Sequence, residues 1–283
     1  MRYEIKHVSR YLYTAPVQRC VMSLCLQPRD DRGQRLVHFE VSTAPPVPLS
    51  YETDAFGNTK HVLNVHREHE VLEVTTHSTV ETVPPAALPA PLGADAWEEL
   101  RSWRQSLTHW DFMHASALAR PSATLTSFVD GLGLEPAGDP LAALRRLSDT
   151  LHRNFQYVPG VTSAVSPIEH ILETGRGVCQ DYAHVMIAIA RSWGVPARYV
   201  SGYMYVAHQA PGTATHAWVE CRLPDLGWIG FDPTNRRLAD ERYVRVAVGR
   251  DYQDVAPTRG VLLGGGESHL EVDVRMQPLA GWT

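Results

Sequence analysis

A cysteine, a histidine and an aspartate stand in this chain in settings that suit acyl transfer. Cys179 lies in Gly177-Val178-Cys179-Gln180-Asp181-Tyr182-Ala183, His216 in His216-Ala217-Trp218, and Asp232 in Phe231-Asp232-Pro233-Thr234-Asn235. In such a set the thiol attacks as thiolate, the imidazole takes its proton, and the carboxylate holds the imidazole in the working tautomer. Gly175-Arg176-Gly177-Val178 delivers Cys179 to the start of a helix predicted over residues 179–193. Unpaired N–H groups and the positive end of the helix dipole favour thiolate there. The same amides offer a donor to an oxyanion beside the sulfur. The competing reading is a small buried hydrophobe, common for free cysteine. Cys20, Cys25 and Cys221 lack the Gly-flanked helix start and take that reading.

His216 and Asp232 flank a turn signal, Pro224-Asp225-Leu226-Gly227. A turn centred near residue 224 sets the two directly opposite each other on antiparallel strands. Opposed residues share a face and sit close, which is what a carboxylate needs to orient an imidazole. A bulge would shift this register. Taken singly, a half-buried strand histidine and a turn aspartate before proline account for either residue. The three together favour a catalytic set.

Weaker candidates surround these three. Gln156 or Tyr157, in Asn154-Phe155-Gln156-Tyr157-Val158-Pro159-Gly160, is a candidate second oxyanion donor; an ordinary polar pair at a helix end is the alternative. Gln180 and Asp181 could contact substrate, although stabilising the helix start is the simpler role for Asp181. Trp218 could bind substrate, with core packing the commoner use. His66-Arg67-Glu68-His69-Glu70 does not place two histidines four apart around a glutamate, so it reads as a solvated charged stretch and not a zinc site. Gly264-Gly265-Gly266 lacks the Lys-Ser/Thr of a phosphate loop, and no EF-hand loop is present. No metal or cofactor is expected.

The elements that must hold these residues change character along the chain. Residues 1–83 read as a β-rich domain with strands at 3–13, 20–27, 37–43, 61–65 and 71–80, separated by turn-forming residues. That spacing suggests a β-sandwich-like module. Residues 84–94 carry four prolines and read as a semi-rigid linker. Residues 95–283 form the expected catalytic domain. Asp95 opens a predicted helix. Asp139 and Pro140 cap another, with Leu141, Leu144, Leu147 and Leu151 on one face. After the Cys179 helix, Gly194-Val195-Pro196 stops the run, and strands follow at 197–206, 215–223, 228–232, 241–248 and 270–276. The fold class is α+β.

Composition narrows the function. A chain of 283 residues with 44% hydrophobic residues can bury a sizeable core without staples. A net charge of −5 with no polybasic stripe argues against nucleic acid as a partner. No apolar run reaches the ~18 residues of a membrane span. The first residues alternate apolar and polar and lack a secretory core. Four cysteines without zinc-like pairing read as reduced thiols, and the expected location is the cytoplasm.

The segments 177–183, 197–203, 216–220 and 227–235 resemble bacterial transglutaminase-like proteins, a group to which the label cysteine protease is often attached. Tyr11-Leu12-Tyr13-Thr14-Ala15-Pro16-Val17, Leu26-Gln27-Pro28-Arg29 and Asp54-Ala55-Phe56-Gly57-Asn58 resemble that group's β-rich N-terminal domain. Residues 247–257 resemble its tail. The resemblance implies a papain-like core, with the cysteine on a helix packed against an antiparallel sheet that carries the histidine and aspartate. It implies Cys179 as nucleophile, His216 as general base and acid, and Asp232 as orienter. Three functions are compatible with it: hydrolysis of peptide or isopeptide-like amides, transglutamination to an amine, and a non-catalytic binding module. The first is the leading expectation, because the full triad is present. The substrate would be a peptide or protein amide, and the N-terminal domain could recruit a protein partner.

Overall fold

The computed structural model describes residues 1–88, 91–93, 95–207 and 215–279. Pro89, Ala90 and Ala94 of the expected linker lie outside the described residues, as do 208–214 and 280–283 of the expected catalytic segment.

The N-terminal strands are β1 (Arg2–Leu24), β2 (Gln34–Ala44), β3 (Leu49–Thr53), β4 (Thr59–Val65) and β5 (His69–Thr82). Strict alternation buries one face of β5 from Leu72 to Thr82, where Leu72, Val74 and Val80 share that face with Thr76, Ser78 and Thr82. The strands at 3–13 and 20–27 expected as two are one long strand. β1 pairs with β5 along its first half and with β4 along its second, with an irregularity between Leu12 and Val17. The neighbouring pairs β2/β3 and β4/β5 break at the same level, where the Pro45-Pro46 and Arg67-Glu68 segments fall. The sheet therefore folds over on itself. Its halves enclose Tyr13, Val17, Cys20, Met22, Leu24, Leu63, Val65, Leu72 and Val74. The expected sandwich is thus one bent sheet and not two separate ones. His69, read from sequence as solvated, is buried against Tyr13 and bonds through Nδ1 to the Arg67 carbonyl at 2.9 Å.

The helical segment holds α1 (Ala96–Ser102), α2 (Trp110–Met113), α3 (Ala123–Gly131), α4 (Pro140–Asn154), α5 (Ile168–Thr174) and α6 (Cys179–Ser192). The α4 signals hold: Asp139 Oδ1 accepts the Ala142 N–H at 2.9 Å, and all four predicted leucines are buried. Asp95 makes no side-chain cap for α1. Between α4 and α6 run two short strands, β6 (Gln156–Tyr157) and β7 (Arg176–Gly177), paired in parallel. Strands β8 (Ala197–Met204), β9 (Thr215–Leu223), β10 (Gly227–Asp232), β11 (Arg237–Leu238) and β12 (Tyr243–Gly249) form an antiparallel sheet in the order β11-β10-β9-β8-β12. Helix α6 packs on β8 and β9 and is buried from Gln180 to Arg191, all round its axis. A helix buried on every side belongs at the centre of a core, and α6 does so while carrying the buried polar residues Asp181, His184 and Arg191.

After α7 (Tyr252–Val255) the chain returns to β1 as β13 (Thr258–Gly264) and β14 (Ser268–Pro278). The division expected at residue 95 therefore misplaces the C-terminal strands, which belong to the N-terminal sheet. Periodicity marks a strand but does not name its partner. The two parts also share a core: Tyr3, Ile5, Cys25, Val80 and Val274 join α6 and the second sheet in one cluster. Cys20 and Cys25 accordingly lie in different cores. The free edge of β12 is covered by N-terminal loops. Asn58 Nδ2 donates to Val248 O at 2.8 Å, and Val248 N–H donates to Asn58 Oδ1 at 2.9 Å. Arg29 N–H donates to Arg245 O at 3.1 Å. Such cover removes an edge open to non-specific pairing. No helix among the described residues is long and apolar enough to cross a membrane.

Candidate active site

Cys179 is the first residue of α6 and is partly exposed. The approach to it is tightly built. Gly175 ends α5 in the left-handed conformation at φ 68°. Gly177 sits against the helix it precedes: a Cβ there would lie 2.7 Å from Ile171 Cδ1 and 2.8 Å from Asp181 Oδ2. Only glycine lets the chain pass that closely. Asp181 Oδ2 accepts the Val178 N–H at 2.8 Å and the Thr162 hydroxyl at 2.6 Å. Burial pushes its carboxyl up, against those hydrogen bonds. Gln180 is also buried and donates to Ser163 O at 3.3 Å. These two residues anchor the 162–166 loop to the start of α6.

Gln156 and Tyr157 stand beside the approach to Cys179 by way of β6, which pairs with the Arg176-Gly177 strand. Both are exposed. Burial pushes the Tyr157 hydroxyl up, and the charge of Cys179 adds to it.

His216 is the second residue of β9 and Asp232 the last of β10. The hairpin register differs from the expected one. Asp225 and Gly227 take positive φ of 58° and 75°, and the pairs run from Gly227↔Leu223 to Phe231↔Val219. His216 thus lies diagonal to Asp232 and not directly opposite. The shift is even, so both side chains stay on one face, and diagonal neighbours remain within reach of a long side chain. His216 Nε2 lies 2.7 Å from Asp232 Oδ2. The Cys179 thiol lies close enough to act on the ring electrostatically. With Nε2 on the carboxylate, Nδ1 is the nitrogen left for sulfur. Burial opposes charge on this imidazole. The Asp232 hydrogen bond and the charges of Asp232 and Cys179 outweigh it and push the pKa up to about 10.

Asp232 is fully buried. Burial alone would raise its pKa, but His216, Asn235 and Tyr243 hold it below the usual carboxylate value. Oδ2 accepts from Asn235 Nδ2 and Tyr243 Oη, each at 2.7 Å. Oδ1 accepts the backbone N–H groups of Thr234 and Asn235 at 3.0 and 3.1 Å. Asn235 stands in the Asp-Pro-Thr-Asn string and was legible as a neighbour. Tyr243 comes from another strand, β12, and no local pattern marked it.

Trp218 does not line the surface. It is fully buried, lies near-parallel to His216 at 6.2 Å between ring centres, and meets Tyr243 edge-on at 5.2 Å. Gly202 makes room for it, since a Cβ there would fall 2.7 Å from the indole. Its sequence-stretch candidacy as a substrate contact gives way to packing beneath the imidazole. Among the described residues no group of three His, Cys, Asp or Glu side chains is arranged to hold a metal ion.

The geometry has counterparts in known proteins. Residues 131–233 match the transglutaminase-like superfamily core, and residues 3–81 match the bacterial transglutaminase-like N-terminal region. An uncharacterised Mycobacterium leprae protein is 31% identical over 284 residues, 99% of each chain. An uncharacterised Mycobacterium tuberculosis H37Rv protein is 32% identical over 308 residues, 99% of this chain and 94% of that one. A protein-glutamine gamma-glutamyltransferase of Pseudomonas aeruginosa is 30% identical over 162 residues, covering 50% of this chain and 23% of that protein. The fold is that of the crystal structure named "Putative Cysteine Protease from Cytophaga hutchinsonii", with a TM-score of 0.75 at 19% identity, over 100% of this chain and 92% of that one. The chain belongs to the transglutaminase-like superfamily, in the form that carries the bacterial transglutaminase-like N-terminal region.

Proposed function

We propose that the protein is a cysteine acyl-transfer enzyme that cleaves peptide or isopeptide-like amides through a thioester. The observation that supports this most is His216 hydrogen-bonded to the buried Asp232 and near enough to the Cys179 thiol for the two to act on each other. The thiolate adds to the amide carbonyl carbon, and the developing oxyanion is met by the N–H of Cys179 and a second donor, for which Tyr157 is the candidate. His216 passes its proton to the departing nitrogen, the C–N bond breaks, and a thioester remains. Water then gives a proton to His216 as it attacks the thioester, releasing the acid and the thiolate. Asp232 holds the ring throughout and stabilises the imidazolium.

The similarity to a protein-glutamine gamma-glutamyltransferase favours a second reading. A primary amine would replace water, with a glutamine side-chain amide as acyl donor and ammonia as leaving group. Both readings use the same residues. The test is a set of glutamine-containing and isopeptide-linked peptides, incubated with and without a primary amine and read by mass. Cleavage that ignores the amine supports the hydrolase; an amine adduct supports the transferase. Absence of turnover together with a Cys179 that alkylates like a free thiol would move the protein to a binding role. The four free thiols favour a cytoplasmic location, which fractionation of the producing cell checks.

A further inference from the structure

Three side chains from three parts of the second sheet and its turns converge on one carboxylate oxygen. Asp232 Oδ2 receives His216 Nε2 from β9, Tyr243 Oη from β12 and Asn235 Nδ2 from the turn after β10, all at 2.7 Å. Two backbone amides occupy Oδ1. A carboxylate offers about four lone-pair sites, so five donors saturate it. Asp232 is 0% exposed, and water cannot replace a donor that is removed.

We propose that Tyr243 is a positioning residue of this site, and Asn235 its partner: together they fix the Asp232 carboxylate so that it holds the His216 imidazole toward Cys179. The inference rests on the triad reading above and adds residues that the triad does not contain. A carboxylate can only accept, so the Tyr243 hydroxyl has to donate to it. Burial and the Asp232 charge both oppose ionisation of that phenol, so the donor persists across the working pH range. The ring is itself fixed, 5% exposed and edge-on to Trp218. Trp218 in turn underlies His216. The hydroxyl therefore arrives from a rigid support on the strand at the opposite side of the sheet from β10. Without it, Oδ2 keeps only the His216 and Asn235 donors, the carboxylate is held from fewer directions, and its bond to Nε2 bends away from the line of the N–H. The imidazolium then loses part of the stabilisation that lets it coexist with a thiolate.

The charged and titratable groups around this pair are few. Cys179 on α6 and Asp232 on β10 act on the imidazole. Arg237 on β11 and Asp240 in the following loop act with Asp232 on the Tyr243 hydroxyl. None of them supplies a donor in place of the phenol.

The test is the pH profile of Cys179 alkylation by iodoacetamide in the full chain, followed by peptide mass. Tyr243→Phe removes one oxygen and keeps the ring. The expected result is alkylation about tenfold slower near pH 6, with a small change near pH 9, as loss of one charge-assisted hydrogen bond implies. Asn235→Ala should move the acid limb the same way, and the double variant should lose less than the sum. Val248→Ala, a packing change in the same apolar cluster, should lower the melting temperature and leave the acid limb in place. An unmoved limb in Tyr243→Phe, with the native protein still labelled at low pH and His216→Ala not, overturns this inference alone. A native protein that is labelled only at the pH of a free thiol overturns the triad reading and this inference together.

Discussion

A Cβ on Gly177 would stand 2.8 Å from the Asp181 oxygen that caps the Cys179 helix. The residue two before Cys179 and the residue two after it are thus packed closely together. Gly177→Ala should displace the Asp181 carboxylate and loosen the turn that aims Cys179. The expected cost is about 1–3 kcal/mol of stability, typical of overpacking, with a larger loss in the alkylation rate than in the melting temperature. Asp181→Ala should cost about 1 kcal/mol, the usual value of a lost cap. Urea melts and alkylation rates of both variants check this; a Gly177→Ala protein with native reactivity would contradict it.

The His216–Asp232 pair sets one pH window. The folded pKa of His216 is raised, to about 10, so its contribution to stability is complete below the ordinary imidazole value near 6.5 and is lost as pH rises through the folded value. Asp232 works in the opposite sense: its pKa is depressed, and its contribution is lost as pH falls through the folded value. Alkylation of Cys179 should accordingly be faster in the native protein than in His216→Ala below pH 8. A rate that falls away at that pH would remove the support for a resting ion pair.

Two other histidines set the acid limit. His7 and His184 are buried neutral, each lowered to about 4 by desolvation. His184 accepts the Tyr252 N–H through Nε2 at 3.2 Å, and His7 contacts Tyr203 Oη at 2.9 Å. The unfolded chain takes up these protons first, so stability is full above pH 6.5 and falls as pH drops toward 4. The loss is on the order of 3 kcal/mol for each residue. Denaturant melts at pH 7 and pH 4.5 measure it, and His184→Gln should flatten the difference.

Asn58 should prove to be a joint between the two parts of the chain. Its amide pairs with both backbone groups of Val248, as a neighbouring strand would. Asn58→Ala leaves a buried N–H and a buried C=O unpaired, at a cost of about 2 kcal/mol or more. Because Asn58 is remote from the triad in the hydrogen-bond network, Cys179 reactivity at low temperature should hold while the melting temperature falls. A simultaneous loss of reactivity would mean that the N-terminal turn positions the site as well as the sheet.

Trp218 carries its weight through packing. It is fully buried between His216 and Tyr243, and Trp218→Ala should cost roughly 3–5 kcal/mol. Trp218→Phe should retain most of the fold and widen the distribution of His216 orientations, seen as a lower kcat at unchanged KM on any substrate found.

The sequence determined what depends on neighbours along the chain. Asp139 and Pro140 start a helix, four leucines repeat at its spacing, and a glycine-flanked Cys179 begins another, because capping and periodicity act within a few residues. Cys179, His216 and Asp232 could be singled out as candidates for the same reason: each stands in its own short motif. Partner choice was decided by tertiary structure. β13 and β14 return to β1 although more than 230 residues separate them from it, and a hairpin turn slipped the His216–Asp232 register by two without changing the face. Tyr243 reaches Asp232 from the other side of the sheet, and Trp218 lies beneath the imidazole because Gly202 leaves the space. Burial and hydrogen-bond satisfaction are properties of surfaces brought together by folding, and no window of sequence contains both sides.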